Sequence, residues 1–321
     1  SLEGCVALVT GANSGLGLES VRALAARHAT VILACRSRSR AETAKTRLME
    51  EGLSRLALLD LDLADLDSVE QAADTVREQY GQLDLLLNNA GVMAPPRNLT
   101  AQGHELQFGV NHLGHMALTQ KLLPLMAQRP DPRVVTVTSG AQYFGRIRWN
   151  DPSWSTGYDR YGAYGQSKLA NVMFALELDR RLREQNSSVR SLAAHPGIAR
   201  TELQPTALAN GGNRFEALAY RLMDPLFQSA AMGALPQLHA ATAASAQSGE
   251  HYGPGGLGGL RGHPALCRIA PTALDSEQRQ RLCCNAACAA GDAVFCASSG
   301  TDAHFFDCNC DEVLVQHFSQ M

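Results

Sequence analysis

Long hydrophobic runs are missing from this sequence. No stretch reaches the roughly 18 apolar residues that a membrane-spanning helix requires, and a strand-like segment begins so soon after Ser1 that no signal peptide fits before it. We therefore expect no transmembrane segment in this chain and a cytoplasmic location. Because the sequence starts at Ser1 rather than at methionine, loss of an N-terminal membrane anchor stays an open alternative.

An excess of charge of one sign is also missing. The chain carries 28 Lys and Arg against 31 Asp and Glu, a net charge of -3, and its basic residues are dispersed. Without a basic stripe, nucleic acid is excluded as an expected partner. Cysteine is scarce in the body of the chain, since only Cys5, Cys35 and Cys267 precede residue 283, a usage typical of a reduced, intracellular protein.

What is present suffices for a sizeable core, with 321 residues of which 45% are hydrophobic. Apolar strand-like runs alternate with amphipathic segments. Strands are predicted at Cys5–Thr10, Thr30–Ala34, Leu56–Leu59, Leu83–Asn88, Arg133–Thr138 and Val189–Ala194, and helices at Gly15–Arg27, Arg40–Glu51, Ser68–Tyr80, Leu106–Arg129 and Gly162–Gln185. This alternation predicts an α/β fold, a single-domain Rossmann-type doubly wound parallel sheet of about six strands with helices on both faces.

The pattern weakens after Pro205. A helical stretch is predicted within Arg214–Ala246, and Gly253–Gly262 is predicted to be a Gly-rich turn region. Beyond Arg281 small residues and cysteines follow without a countable period.

The first predicted strand ends in a glycine-rich loop from Thr10 to Gly17, and a helix begins inside it. Such glycines permit a tight turn, a close approach to a pyrophosphate and close packing of helix on strand, while the helix N-terminus attracts the anion. Taken alone, three glycines also fit a plain turn, but the flanking strand and helix favour a dinucleotide site. The candidate contacts are Gly11, Asn13, Ser14, Gly15, Leu16 and Gly17.

The end of the second strand indicates which dinucleotide binds. An acidic residue there would bind the ribose 2′-hydroxyl of NAD, but the sequence has Arg36 and Arg38 and no carboxylate. Arg36, aided by Arg38 and Ser14, would pair with the 2′-phosphate of NADP. We therefore predict NADP(H) as the cofactor; the alternative for Arg36 is a solvated loop arginine.

Tyr164 and Lys168 lie four residues apart at the start of a predicted helix, so their side chains share one face. An ammonium beside a phenol lowers the phenol pKa from about 10 toward the range of acid/base catalysis. In isolation such a Tyr-Lys pair is usually an exposed pair without a catalytic role. Ser139, however, ends a strand at the carboxyl edge of the sheet, where ligands of such sheets bind, and its hydroxyl would orient a substrate carbonyl.

These features together resemble the short-chain dehydrogenase/reductase family, from about residue 3 to about residue 282. Six separate motifs carry the resemblance, and they are specific in combination. They are Thr10-Gly-x3-Gly-x-Gly17, Asp62 after the third strand, Asn88-Asn-Ala-Gly91, Asn111 followed by Gly114, Ser139 with Tyr164-x3-Lys168, and Pro196-Gly197 with Thr201.

The resemblance implies a role for each matched residue. Tyr164 would be the general acid/base, Lys168 would lower its pKa and hold the ribose hydroxyls, Ser139 would position the carbonyl, and Asn111 would hold a water of the proton relay. Further cofactor contacts would come from Asp62 and Leu63 to the adenine, Asn89, Ala90 and Gly91 to the adenosine side, and Pro196, Gly197, Ile198 and Thr201 to the nicotinamide amide.

Within the family, the runs Asn111–His115, Ser167–Asn171 and His195–Thr201 are similar to the retinol dehydrogenase and protochlorophyllide reductase branch. That branch favours NADP(H) and bulky apolar substrates, so the resemblance implies a lipophilic, retinoid-like or steroid-like, aldehyde or ketone. It leaves the oligomeric state undecided.

Two departures leave alternatives open. The long interval between Ser139 and Tyr164 carries Trp149, Trp154, Tyr158 and Tyr161, which would either line an apolar substrate wall or pin an inserted loop. His112, His115 and His195 would suit a metal, but this chemistry needs none, so packing is favoured and no metal is predicted.

The C-terminal end is the largest departure from the family. We predict a catalytic domain at 1–282, with substrate-pocket segments within 140–162 and 202–270, and a Cys-rich tail of uncertain order at 283–321. The primary prediction is an NADP(H)-dependent oxidoreductase. The alternative is a catalytically idle NADP-binding sensor or partner-binding protein.

Overall fold

The structure, a computed structural model, describes residues 1–199 and 227–289. Its strands are β1 (Val6–Thr10), β2 (Thr30–Cys35), β3 (Leu56–Asp60), β4 (Leu85–Asn88), β5 (Arg133–Val137), β6 (Arg190–Ala194), β7 (His251–Gly256) and β8 (Arg261–Leu266). Its α-helices are α1 (Gly15–Ala25), α2 (Arg38–Glu50), α3 (Leu66–Tyr80), α4 (Leu106–Phe108), α5 (Gly114–Met126), α6 (Arg160–Glu184), α7 (Ala230–Thr242) and α8 (Ser276–Ala289).

The core lies on both faces of the sheet, because successive strand residues point to opposite sides. In β1, Val6 and Leu8 belong to the apolar cluster on one face, whereas Ala7 and Val9 belong to the cluster on the other. All four side chains are buried. The near-continuous apolar runs of the sequence therefore mark strands covered on both faces, as predicted.

The sheet has eight strands in the order β3-β2-β1-β4-β5-β6-β7-β8. The pairings from β3 to β7 are parallel, and β8 is antiparallel to β7. This arrangement confirms the Rossmann-type doubly wound sheet. Because β1 and β4 are neighbours, the chain changes direction across the sheet between them, and a crevice for ligands opens at their carboxyl ends.

Two details of the sequence prediction are corrected. The sheet has seven parallel strands rather than about six, and Gly253–Gly262 forms most of the β7–β8 hairpin rather than a turn region. Packing explains the glycine in the strand: a Cβ at Gly253 would collide with the ring of His195. Here glycine serves the close approach of a neighbouring strand, which composition alone does not distinguish from a turn.

The predicted helix Leu106–Arg129 is also interrupted. A π-helical turn, Gly109–Leu113, separates α4 from α5. Such turns commonly occur at functional sites, because they displace one turn of a helix from its regular register. The turn contains Asn111, a predicted site residue.

The last described helix, α8, runs across the predicted boundary at residue 282. Cys283 is fully buried on it, close to Glu177 and Arg181 of α6. The helix therefore packs on the body of the fold at least to Ala287, which is also buried. Within residues 1–199 and 227–289, no helix combines the length and apolarity that a bilayer crossing demands.

Candidate active site

The glycine loop joins β1 to α1 at the centre of the carboxyl edge. Gly17 has no space for a side chain, because a Cβ there would collide with the carbonyl oxygen of Gly11 and lie 2.7 Å from Nδ2 of Asn89. Ser14 caps α1 without a side-chain hydrogen bond, and the first turn of the helix holds no acidic residue. A glycine-packed helix N-terminus without a competing carboxylate fits a dinucleotide pyrophosphate.

Residues Ala12 to Leu16 of the loop lie between β2 and α7. The backbone N–H groups of Ala12 and Asn13 lie against the thiol of Cys35, whose pKa burial raises to about 11. The Leu16 side chain is buried, and its Cδ2 approaches Gly233 of α7. Gly15 takes a positive φ of 53° where the helix begins.

Arg36 and Arg38, which follow β2, are both exposed. Arg38 is engaged: its Nε lies 3.2 Å from Glu42 and its Nη1 lies 3.5 Å from Asp60. In the part of the chain that the structure describes, Arg36 forms no ion pair. At this strand end the Arg36 guanidinium is therefore available to pair with a 2′-phosphate.

Asp62 and Leu63 follow β3 at the same edge. The Asp62 carboxylate accepts a hydrogen bond from the backbone N–H of Ala64 at 2.9 Å, and its own N–H donates to Ser68 at 3.0 Å. Leu63 is buried. Both residues are thus fixed beside the position that the resemblance assigns to the adenine.

The segment after β4 is fastened to β1 by Thr10. The Thr10 hydroxyl accepts hydrogen bonds from the backbone N–H groups of Asn89 and Ala90, each at 2.9 Å. The Asn89 amide donates to the Thr10 carbonyl at 2.8 Å. Gly91 follows, close enough that a Cβ there would lie 3.1 Å from Oδ1 of Asn111 and 3.5 Å from Nζ of Lys168.

Tyr164 and Lys168 lie on α6 and are both buried. Nζ of Lys168 lies 5.7 Å from the centroid of the Tyr164 ring and donates to the Val137 carbonyl at 3.3 Å. Burial lowers the pKa of Lys168 to about 8. A buried ammonium beside a phenol stabilises the phenolate, which is the condition for acid/base chemistry by Tyr164.

Ser139 and Asn111 complete the predicted catalytic set. Ser139 is half-buried two residues after the end of β5, where its hydroxyl accepts from the N–H of Ala141 at 3.3 Å. The Asn111 amide accepts from the N–H of Val92 at 2.8 Å and donates to the Val92 carbonyl at 3.0 Å and to the Ser167 hydroxyl at 2.9 Å. Asn111 thereby ties the segment after β4 to the helix that carries Lys168.

The Pro196–Ile198 segment leaves β6 and is held under the β7–β8 hairpin. The Gly197 N–H donates to Nδ1 of His195 at 3.2 Å, and the Ile198 N–H donates to the Leu260 carbonyl at 2.8 Å. Thr201, the remaining predicted nicotinamide contact, lies outside the described residues, as does the part of the predicted pocket segment 202–270 that precedes residue 227.

Two glutamines brace the site by hydrogen bonds between its segments, and the sequence analysis missed both. Gln228 donates to the Pro196 carbonyl at 2.7 Å and accepts from the Gly262 N–H at 3.0 Å. Gln237 of α7 donates to Ser20 at 2.6 Å and to Oδ1 of Asn89 at 3.2 Å. No local motif marks either glutamine, because their partners are distant in sequence.

Three of the aromatic residues between Ser139 and Tyr164, namely Trp149, Trp154 and Tyr158, pack the inserted segment against its neighbours. Trp154 stacks edge-on against Tyr158 with ring centroids 6.2 Å apart, beneath the guanidinium of Arg148. The Tyr158 hydroxyl donates to the Pro95 carbonyl at 3.1 Å, and Arg281 covers Trp149. These contacts correspond to the loop-pinning alternative.

The histidines likewise serve internal packing. His112 packs against Phe108 and Phe174, and His195 lies 5.2 Å from the ring of His251. Within the described ranges, no three His, Cys, Asp or Glu side chains cluster as metal ligands.

Comparison with protein families and curated proteins gives consistent matches. The model of the short chain dehydrogenase family matches residues 5–210. A short-chain dehydrogenase/reductase of Armillaria gallica is 42% identical over 253 residues, which are 76% of this chain and 79% of that protein. Retinol dehydrogenase 12 of Homo sapiens is 39% identical over 255 residues, 78% of each chain. Retinol dehydrogenase 13 of Mus musculus is 37% identical over 309 residues, covering 94% of this chain and 88% of its own.

Solved structures share the architecture. An uncharacterized protein from Mycobacterium paratuberculosis superposes with a TM-score of 0.75 at 36% identity, covering 91% of this chain and 95% of its own. L-sorbose reductase from Gluconobacter frateurii, solved with NADPH and L-sorbose, has a TM-score of 0.60 at 22% identity, covering 78% of this chain and 94% of its own. The second likeness shows the fold alone.

Proposed function

The chain belongs to the short-chain dehydrogenase family, and on that premise we propose that it is an NADP(H)-dependent enzyme that interconverts a bulky apolar aldehyde or ketone and the corresponding alcohol. Members of the family are oxidoreductases that bind a nicotinamide dinucleotide. The observation that carries the proposal is the convergence of buried Tyr164 and Lys168 with Asn111 and Gly91 at the carboxyl edge of the sheet.

The chemistry divides between the cofactor and the chain. Bound at this edge, the nicotinamide would supply a hydride to the carbonyl carbon or accept one from the alcohol carbon. Tyr164 gives the proton to the carbonyl oxygen during reduction and takes it from the alcohol during oxidation. Lys168 stabilises the phenolate by its charge, and the Ser139 hydroxyl donates to the same substrate oxygen.

NADP(H) is favoured over NAD(H) by the end of β2. Exposed Arg36 is available for a phosphate, whereas Asp60 on β3, which lies opposite Cys35 at the end of β2, is paired with Arg38. A ribose 2′-hydroxyl would find no carboxylate at β2 itself, while a 2′-phosphate would find a guanidinium fork.

The substrate class is supported by relatives. Two proteins of similar length and 37–39% identity are retinol dehydrogenases by name, and retinol is a bulky apolar alcohol. The apolar substrate proposed for this chain follows from that likeness together with the matching runs around Asn111, Lys168 and His195.

The test is NADPH oxidation by the purified chain across a panel of apolar aldehydes and ketones. Turnover with NADPH that exceeds turnover with NADH, and that a Tyr164→Phe variant lowers by about 10²-fold or more, is the expected result. The variant should unfold at the same temperature and bind NADPH as the parent does, so that loss of activity reports chemistry. NADPH binding without turnover of any carbonyl would instead favour the idle NADP-binding protein.

A further inference from the structure

His115 lies on α5, fully buried between that helix and β1. Its Nδ1 is 3.0 Å from the carbonyl oxygen of Asn111, and its Nε2 is 2.8 Å from the hydroxyl of Thr10. The ring therefore touches the π turn that carries Asn111 on one side and the strand that precedes the glycine loop on the other. The proposed reaction assigns no role to this side chain.

The hydrogen-bond partners determine which nitrogen holds the proton. The Asn111 carbonyl can only accept, so Nδ1 must carry the hydrogen and Nε2 must accept from the Thr10 hydroxyl. That hydroxyl already accepts from the N–H groups of Asn89 and Ala90. Its two lone pairs are then used, so it cannot accept from a protonated Nε2, and its one proton lies closer to Nε2 at 2.8 Å than to its other acceptor, the Leu87 carbonyl, at 3.3 Å.

The pKa of His115 is consistent with a neutral ring. Burial lowers the pKa of His115 to about 3, with the nearby Lys168 ammonium contributing. The ring consequently stays neutral through the pH range in which a dehydrogenase operates. A neutral imidazole with a fixed tautomer is a rigid connector between a donor and an acceptor.

The two groups that His115 connects belong to different parts of the site. Through Thr10 it reaches Asn89 and Ala90, which lie on the cofactor side. On the other side His115 contacts Asn111, whose side-chain amide is hydrogen-bonded to Val92 and to Ser167, the neighbour of Lys168. The backbone of His115 is also bonded within α5, since the Thr119 hydroxyl donates to the His115 carbonyl at 2.7 Å.

We propose that His115 is a positioning residue that sets the distance between the cofactor segment Asn89–Gly91 and the catalytic Asn111, by bridging Thr10 and the Asn111 carbonyl as the Nδ1–H tautomer. This inference rests on the proposed function for its consequence in catalysis. The bridge itself is a property of the chain and can be tested without substrate.

Three substitutions separate the two halves of the bridge. His115→Gln puts an amide oxygen near the Nε2 position and keeps the acceptor for Thr10, whereas His115→Asn puts an amide N–H near the Nδ1 position and keeps the donor to Asn111. His115→Phe removes both. Calorimetric NADPH binding and steady-state kinetics are measured for each variant, with thermal unfolding as the control for folding.

The Gln and Asn variants are expected to differ in which parameter they change, NADPH binding or turnover. The Gln variant should keep the NADPH Kd within about threefold of the parent and lose mainly kcat, whereas the Asn variant should raise Kd by about tenfold and keep more of its kcat. The Phe variant should lose both. A uniform loss in Gln and Asn variants of equal stability would overturn the assignment, because a purely structural histidine would produce no split.

Two further measurements need no turnover. Nitrogen NMR of histidine-labelled protein, with His115→Gln to assign the resonance, should show a neutral ring protonated at Nδ1 from about pH 5 to 8. In a double-mutant cycle on the NADPH Kd, Thr10→Val and His115→Phe together should cost no more than the larger single effect. An Nε2–H tautomer, or additive effects of the two substitutions, would contradict the His115 bridge and leave the proposed function intact. Failure of the parent protein to bind NADPH would contradict both.

Discussion

Arg36 and Arg38 stand two residues apart after β2, yet their side chains are in different situations. The Arg38 guanidinium forms ion pairs with Glu42 and Asp60. The Arg36 side chain is exposed and forms no ion pair among the described residues. Two neighbouring arginines of equal charge thus offer an internal comparison for the role of one of them.

We expect Arg36→Ala to weaken NADPH binding by about 10- to 100-fold, because a charge-assisted contact to the 2′-phosphate is lost. Binding of NADH, which has no 2′-phosphate, should change by less than about twofold. Both dissociation constants can be measured by quenching of protein fluorescence or by calorimetry.

Arg38→Ala is the matched control, since it removes the same charge two residues further along, at the start of α2. Its effect on NADPH should stay within about threefold, as expected for a general change in surface potential that salt screens. Equal losses in the two variants would mean that Arg36 makes no specific contact with the phosphate.

At the scale of elements, the packing of α1 on β1 depends on a position without a side chain. Gly17→Ala should lower the free energy of unfolding by about 1–3 kcal/mol, because the new Cβ collides with the Gly11 carbonyl and the backbone must shift. Dinucleotide binding should be lost with it, since the shift displaces the loop. Urea unfolding and NADPH titration measure the two effects.

Gly140→Ala provides the control for this substitution. A Cβ at Gly140 would meet no atom within 4 Å, and the residue does not have a positive φ. Its free energy of unfolding should be unchanged or raised by up to about 1 kcal/mol. If Gly17→Ala were equally harmless, the close approach of α1 to the loop would not constrain this position.

The regular elements were predictable from sequence because their signals are local. Apolar runs such as Ala7–Val9 mark strands buried on both faces, and the glycine loop before a helix marks the dinucleotide crevice. The edge at which Ser139 lies followed from the parallel order of the strands. The predicted helix α6 also matched closely, starting at Arg160 rather than Gly162.

The remainder depended on contacts between distant segments. The β7–β8 hairpin was missed because its Gly253 serves packing on His195, and the π turn around Asn111 interrupts a helix whose apolar pattern continues through it. Gln228 and Gln237 carry no motif, so only the folded chain reveals that they brace the site. The roles of the individual site residues stay predictions that the variants above test.

At the scale of the whole molecule, four histidines among residues 1–199 and 227–289 are buried and have pKa values that burial lowers to about 3 or 4: His112, His115, His195 and His251. In the unfolded chain a histidine titrates near pH 6.5, so between about pH 6.5 and 4 the unfolded state binds protons that the native state does not. The stability that these groups contribute is present above pH 6.5 and is lost as the pH falls.

The free energy of unfolding should therefore fall steeply between pH 6.5 and 4, by up to about 1.4 kcal/mol per pH unit for each histidine. Urea unfolding at pH 7, 6 and 5 measures the slope. His112→Phe should flatten it by one histidine's share, since phenylalanine suits a ring that packs between Phe108 and Phe174.

His263→Gln is the control, because His263 is exposed on β8. Its slope should equal that of the parent. A parent slope that is flat down to pH 5, or that His112→Phe leaves unaltered, would contradict the assignment of acid sensitivity to these buried rings.

Gln237 also has a consequence for how the protein is made. Helix α1, which follows the glycine loop, emerges from the ribosome early, but the hydrogen bond from Gln237 to its Ser20 joins residues 217 apart. At a translation rate of roughly 5–20 residues per second, about 10–40 s pass between the synthesis of the two. During that interval the nascent dinucleotide half exists without its final support, so it matures as part of the completed chain rather than as an independent first unit.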